Sequence, residues 1–88
     1  MTERELERQL KALANRRRLL ILKYLKEHRE AAVRDIANAI NLSFKATSKH
    51  LTILTVIDIL EKEQRSSQVF YGIAHIQFPA VRHIISLL

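Results

Sequence analysis

Two apolar segments of helical period meet at a three-residue junction, Asn41-Leu42-Ser43, which limits what this chain can become more than any other feature. Before it, Val33, Ile36, Ala37 and Ile40 repeat at the spacing of a short amphipathic helix. After it, Thr47, Leu51 and Leu54 share one face of a second helix with Ala46 and His50 flanking them. Phe44, Lys45, Ser48, Lys49 and Thr52 project from the opposite face. Asn41 stands where a chain leaving a helix commonly turns left-handed, a conformation Asn tolerates better than any residue except Gly. Leu42 reads as a buried link and Ser43 as the N-cap of the next helix. Two helices joined this tightly, the second with a polar, basic outer face, have the layout of a helix-turn-helix.

The flanking segments read as three further helices and a hairpin. Leu6, Leu10 and Leu13 make one stripe of an opening helix, capped by Thr2 and carrying Glu3 and Glu5 at its positive end. Asn15 caps a second helix over residues 16–28, in which Leu19, Ile21, Leu20 and Leu22 predict burial all round one turn. The stretch HREAA reads as a short connection. Asp58 repeats the helix-ending role of Asn41. Residues 59–65 and 68–73 then read as two strands, the second enriched in Val69, Phe70 and Tyr71. The turn Arg65-Ser66-Ser67-Gln68 lacks Gly, which points to a loose loop rather than a tight primed turn. Pro79 suits the first turn of a closing helix. The expected fold class is therefore mainly α, a single domain over residues 1–88 with about five helices and a two-stranded hairpin. Terminal helices at about 2–14 and 75–88 carry more apolar surface than so small a domain can cover alone.

Charge narrows the partners. Fifteen Lys and Arg against nine Asp and Glu give a formal net charge of +6. Residues 1–30 hold nine basic and five acidic side chains, a net of +4. No carboxylate lies between Asp35 and Asp58, whereas Lys45, Lys49 and His50 do. Such a cluster is either a solvated face or the footprint of an anionic ligand, and its position on the second helix of a helix-turn-helix favours the ligand. With no cysteine, disulfides, thiolate chemistry and zinc fingers are excluded. A single glycine excludes glycine-rich phosphate loops. No paired carboxylates, Ser-His-Asp spacing or His-rich motif suggests an enzyme. The apolar runs LTILTVI and HIISLL are too short to cross a bilayer and the start is not a signal peptide, so a cytoplasmic location is expected.

Two motifs carry a family resemblance. LKALANRRRLLILKYL follows the pattern L-x-A-L-A-(D/N)-x-x-R-L-x-I-L, and NLSFKATSKHLTIL follows L-S-x-x-x-(V/T)-S-x-H-L-x-x-L. EKEQRSSQVFYGI stands where a wing hairpin would be. In this order and spacing, from Leu10 to Ile73, the chain resembles the ArsR-type winged-helix repressors, which include arsenic and zinc sensors. The resemblance implies a homodimer that docks its fourth helix in the major groove of a palindromic operator and lays the wing along the minor groove or backbone. It also implies repression relieved, in many members, by a metal or other inducer. Here EAAVRDI replaces the cysteine-containing segment of the arsenic and cadmium sensors. His75 and His83 occur without an Asp-x-His or any acid after Glu63. No metal site and no cofactor are therefore expected, and the sequence identifies no inducer.

Individual residues carry two readings each. Lys45, Ser48, Lys49 and Thr52 are base or phosphate contacts, or a solvated helix face. Phe44 contacts a thymine methyl, or covers the hairpin or a dimer seam. Ser43 is first a helix cap and second a phosphate contact. His50 packs beneath its helix rather than binding metal. Arg65 and Gln68, flanking the wing tip, are phosphate contacts or free in solvent. Arg16, Arg17 and Arg18 open a helix at the unfavourable end of its dipole, compensated by Glu3 or Glu7 or else by DNA phosphate; the family motif matches only Arg18. Leu6, Leu10, Phe78, Ile84, Ile85 and Leu88 are assigned to a two-fold dimer interface, the alternative being packing on their own core. The function expected is sequence-specific regulation of transcription by DNA binding, and the competing reading is a winged helix used to bind another protein.

Overall fold

Capping chemistry sets the helix boundaries in the computed structural model, which describes residues 1–88. The first helix, α1 (Glu3–Leu13), starts where the Thr2 hydroxyl accepts from the Glu5 amide at 3.1 Å. The second, α2 (Arg16–His28), starts where Asn15 Oδ1 accepts from the Arg18 amide at 3.1 Å. After α3 (Val33–Ile40), Asn41 is left-handed at φ 55°, ψ 52°. The amides of Leu42 and Asn41 close back onto the carbonyls of Ala37 and Asn38, the paired bonds of a Schellman ending. Ser43 then caps α4 (Phe44–Val56) by accepting from the Ala46 amide at 3.1 Å. Asp58, at φ 62°, ends α4 in the same way, with Ile59 bonded to Leu54 and Asp58 to Thr55.

The hairpin consists of β2 (Leu60–Arg65) and β3 (Gln68–Ile73), paired antiparallel from Leu60↔Ile73 to Arg65↔Gln68. Ile59, expected inside the first strand, serves instead as a hinge pin. Its amide closes α4, and its carbonyl accepts from the Ala74 amide and from Gln77 Nε2. Because pairing runs to Arg65↔Gln68, only Ser66 and Ser67 remain as the loop, so the turn is tight rather than loose. Ser66 takes the positive φ of 56° that a hairpin this short requires, the cost being borne by a small polar residue in place of Gly.

A third strand, β1 (Glu30–Ala32), replaces the expected plain connection at HREAA. It pairs antiparallel with β3, giving the order β1-β3-β2 and placing β3 in the middle. Three residues with two alanines show no alternation that would announce a strand; the free edge of β3 recruits them. Arg29, at φ 60°, turns the chain into this strand and sets its carbonyl over Gly72. A Cβ at residue 72 would lie 2.9 Å from that oxygen, so the chain's only glycine sits where nothing larger fits.

The closing helix α5 spans Pro79–Ser86, shorter than the expected 75–88. Pro79 has no amide to give and disfavours helical geometry in the residue before it, so Phe78 is extended at ψ 143° and the helix starts at the proline. The core joins Ile21, Leu22 and Leu25 of α2 to Ile36 of α3, Leu51 and Leu54 of α4, Ile59 and Leu60, and Val81 of α5. At about 1.5–3 kcal/mol for each large side chain removed from water, this cluster is the main source of stability. Leu20 departs from expectation. Four consecutive apolar residues cannot all face one core at 100° per residue, and Leu20 points outward, 38% exposed.

Candidate nucleic-acid interface

The face opposite the buried side of α4 is the chain's most distinct surface. Thr47, Leu51 and Leu54 are fully buried and fix the helix's rotation, so Phe44, Lys45, Lys49 and Thr52 face solvent and Ser48 is half-buried at their edge. Thr47 places its hydroxyl in the core without a partner, a burial penalty of about 1–3 kcal/mol. Lys45 and Lys49 form no ion pair, since the nearest acids along the chain are Asp35 and Asp58. Phe44, Lys45, Ser48, Lys49, Thr52 and Ile53 together line one shallow, open surface. Ile53 belongs to it although the sequence reading does not single it out; it lies four residues after Lys49 and is 43% exposed. The Thr52 hydroxyl donates to the Ser48 carbonyl at 3.0 Å, leaving its lone pairs free.

Arg18 does not reach this surface as a free cation. Its Nε donates to the Ala12 carbonyl, Nη2 to the Lys11 carbonyl at 3.4 Å, and Nη1 to His50 Nδ1 at 3.3 Å. The guanidinium closes the carboxyl end of α1 and ties it to α4, so in the free chain its donors are already engaged. The compensation expected from Glu3 or Glu7 is also absent, Glu7 lying 3.9 Å from Lys11.

A guanidinium can only donate, so His50 Nδ1 accepts and the ring proton sits on Nε2. Burial, and then the charges of Arg18 and Arg17, push the His50 pKa below its ordinary 6.5. The folded state therefore holds fewer protons here than the unfolded chain. The associated stability is present above pH 6.5 and is lost as pH falls from there through the folded-state value. The thermal midpoint is expected to fall across this window in the native chain and to fall less in H50Q, as followed by circular dichroism. Equal slopes for the two proteins would show that His50 is not the group responsible.

The wing tip differs from expectation in a related way. Arg65 grips Glu30 of β1 with two bonds, Nη1 to Oε1 at 2.6 Å and Nη2 to Oε2 at 2.8 Å, and its Nε donates to Glu63 at 2.8 Å. Its guanidinium also lies 4.9 Å from the centre of the Phe70 ring. The hydrogen bonds it donates to Glu30 and then to Glu63 raise the Arg65 pKa, and accepting from Arg65 holds the Glu30 carboxyl below its usual range. Two carboxylates thus share this one cation, so Arg65 is paired rather than free in solvent. The pairing reaches across β3 from one outer strand to the other, an arrangement the sequence does not reveal. Gln68 remains exposed beside the turn.

The apolar residues assigned to a partner divide. Leu10 is 44% and Phe78 39% exposed, while Leu6, Ile84 and Leu88 are half-buried. Ile85 is buried in its own core beside Val81 and is unavailable to a second subunit. Val56, Ile76 and Leu87 are exposed apolar residues that the sequence reading does not assign to the seam. No three His, Asp or Glu side chains converge as a metal site, and His75 lies 3.4 Å from Glu61. No helix is long and apolar enough to cross a membrane.

A helix-turn-helix followed by a twisted sheet, with an unpaired basic face on its second helix, defines a winged helix-turn-helix DNA-binding protein. The family model for bacterial regulatory proteins of the arsR family matches residues 15–62. Reduced HlyU from Vibrio cholerae is similar with a TM-score of 0.81 and 32% identity, over 96% of this chain and 84% of that one. A homodimeric winged helix-turn-helix DNA-binding domain from Mycobacterium bovis gives 0.80 and 30% over 99% and 82%. The transcriptional repressor PagR of Bacillus anthracis gives 0.79 and 26% over 96% and 92%. No curated protein sequence matches the chain. The chain belongs to the ArsR family and is a DNA-binding regulator of transcription, not an enzyme.

Proposed function

We propose that the chain acts as a homodimeric repressor in the bacterial cytoplasm, reading a palindromic operator with α4 of each subunit. The observation that carries this is the outward face of Lys45, Ser48, Lys49 and Thr52, held in place by a fully buried opposite side and free of carboxylates. Lysine amines donate to guanine O6 and N7, and Ser and Thr hydroxyls donate to or accept from base edges. Phe44, 59% exposed at the start of α4, meets a thymine methyl, while Ser43 and Gln68 sit where the backbone passes. The apolar surface of Leu6, Leu10, Phe78, Ile84 and Leu88 on the terminal segments forms the two-fold interface of this single domain. That pairing sets two α4 helices one turn of DNA apart, about 34–36 Å. Similar proteins support the reading, one being a repressor and another a homodimer. With neither family metal-ligand set in the sequence, the repressor does not sense metal through those sites.

Selection of bound duplexes from a random pool, run at two salt concentrations, tests the assignment. A palindromic motif with half-sites one helical turn apart is expected, enriched more strongly at the higher salt, where non-specific binding fades. Recovery of no motif would overturn it.

A further inference from the structure

We propose that Arg17, with Arg16 beside it, is a phosphate clamp at the flank of α4, its charge left unpaired where those of Arg18 and Arg65 are engaged within the chain. The inference rests on the operator-reading role just given to α4. Arg16, Arg17 and Arg18 occupy the first turn of α2, which contains no acid, so three positive charges sit at the positive end of a helix dipole. Arg18 is relieved by the carbonyls of α1. Arg16 and Arg17 are exposed and have neither an ion pair nor a side-chain hydrogen bond. The chain's ion pairs are formed by other residues, Glu7 with Lys11, Glu30 and Glu63 with Arg65, and Glu61 with His75.

Position supplies the second argument. Arg18, the next residue, meets His50 Nδ1 of α4 at 3.3 Å, which sets the first turn of α2 against α4 one residue after Lys49. Two unpaired arginines therefore stand at the helix end that abuts α4, and α4 itself lies in a stretch without carboxylates from Ile36 to Ile57. An arginine in this setting destabilises the free protein slightly and is neutralised when an anion arrives. Beside a helix lying in the major groove, that anion is the DNA backbone.

Binding of R17Q, R17K and the native chain to the selected operator and to a random duplex, titrated by fluorescence anisotropy across a salt series, tests the proposal. In R17Q the slope of log K against log salt should shrink by about 0.9 for each phosphate no longer neutralised, near 2 for a dimer. Affinity for the two duplexes should fall by the same factor, and the thermal midpoint should hold or rise. R17K, which keeps a point charge, should retain the native slope. An unchanged slope in R17Q, beside a steep native slope, overturns the clamp and leaves the role of α4 standing. A decrease of slope in R17K equal to that in R17Q also overturns the clamp, because charge would not be the cause. A native chain that binds neither duplex in a salt-dependent way removes both.

Discussion

K45A/K49A is expected to bind the selected operator a hundredfold or more less tightly than the native chain while melting at nearly the same temperature. Each well-placed contact between a side chain and a base edge contributes about 1–3 kcal/mol of discrimination. Two per recognition helix correspond to about 2–6 kcal/mol, or upwards of roughly 30-fold, before the second subunit is counted. Both lysines are exposed and unpaired, so the folded state loses almost nothing with them. The ratio of operator to random-duplex affinity should collapse as well. That separates these residues from Arg17, whose removal lowers both affinities together. An unchanged ratio in the double variant, measured by competition between the two duplexes, would mean that α4 does not read the bases.

The second large effect is expected at the proposed seam. L10E should convert the dimer to a monomer in sedimentation, with the fold intact, and reduce operator affinity by about 10²–10⁴, the avidity that linking two half-site contacts provides. A buried carboxylate without a partner opposes association strongly, whereas at a site 44% exposed in the single chain it costs the monomer little. I85E supplies the contrast. Ile85 is 7% exposed within its own subunit, so a charge there should unfold the chain instead of separating two folded ones. A dimeric, tightly binding L10E would move the interface away from α1.

Sequence reasoning succeeds here wherever the deciding interaction is local. Asn15, Ser43 and Thr2 bond amides three residues ahead, and Asn41 and Asp58 take left-handed conformations at helix ends, all of which residue type and spacing specify. Burial of Thr47, Leu51 and Leu54 follows from period alone. What residue type and spacing do not specify involves partners far away in the chain. Arg18 looks like a free cation until α1 and His50 come within reach, and Arg65 until Glu30 does, 35 residues earlier. The strand at Glu30–Ala32 likewise exists because β3 offers it an edge, and nothing in EAA announces that. Ile84, Ile85 and Leu88 are alike in composition, and only the orientation of α5 turns Ile85 inward. The exposed basic face of α4 is therefore readable from the chain, whereas which basic residues are left unpaired is not.

The seam between Arg29 and Gly72 has a mechanical consequence. A two-stranded ribbon is marginal by itself in water, but here its middle strand is stitched to the segment that leaves α2, with a carbonyl resting directly on a residue that has no side chain. The wing is thus an outrigger bolted to the hull through its middle strand, with no ribbon left standing alone.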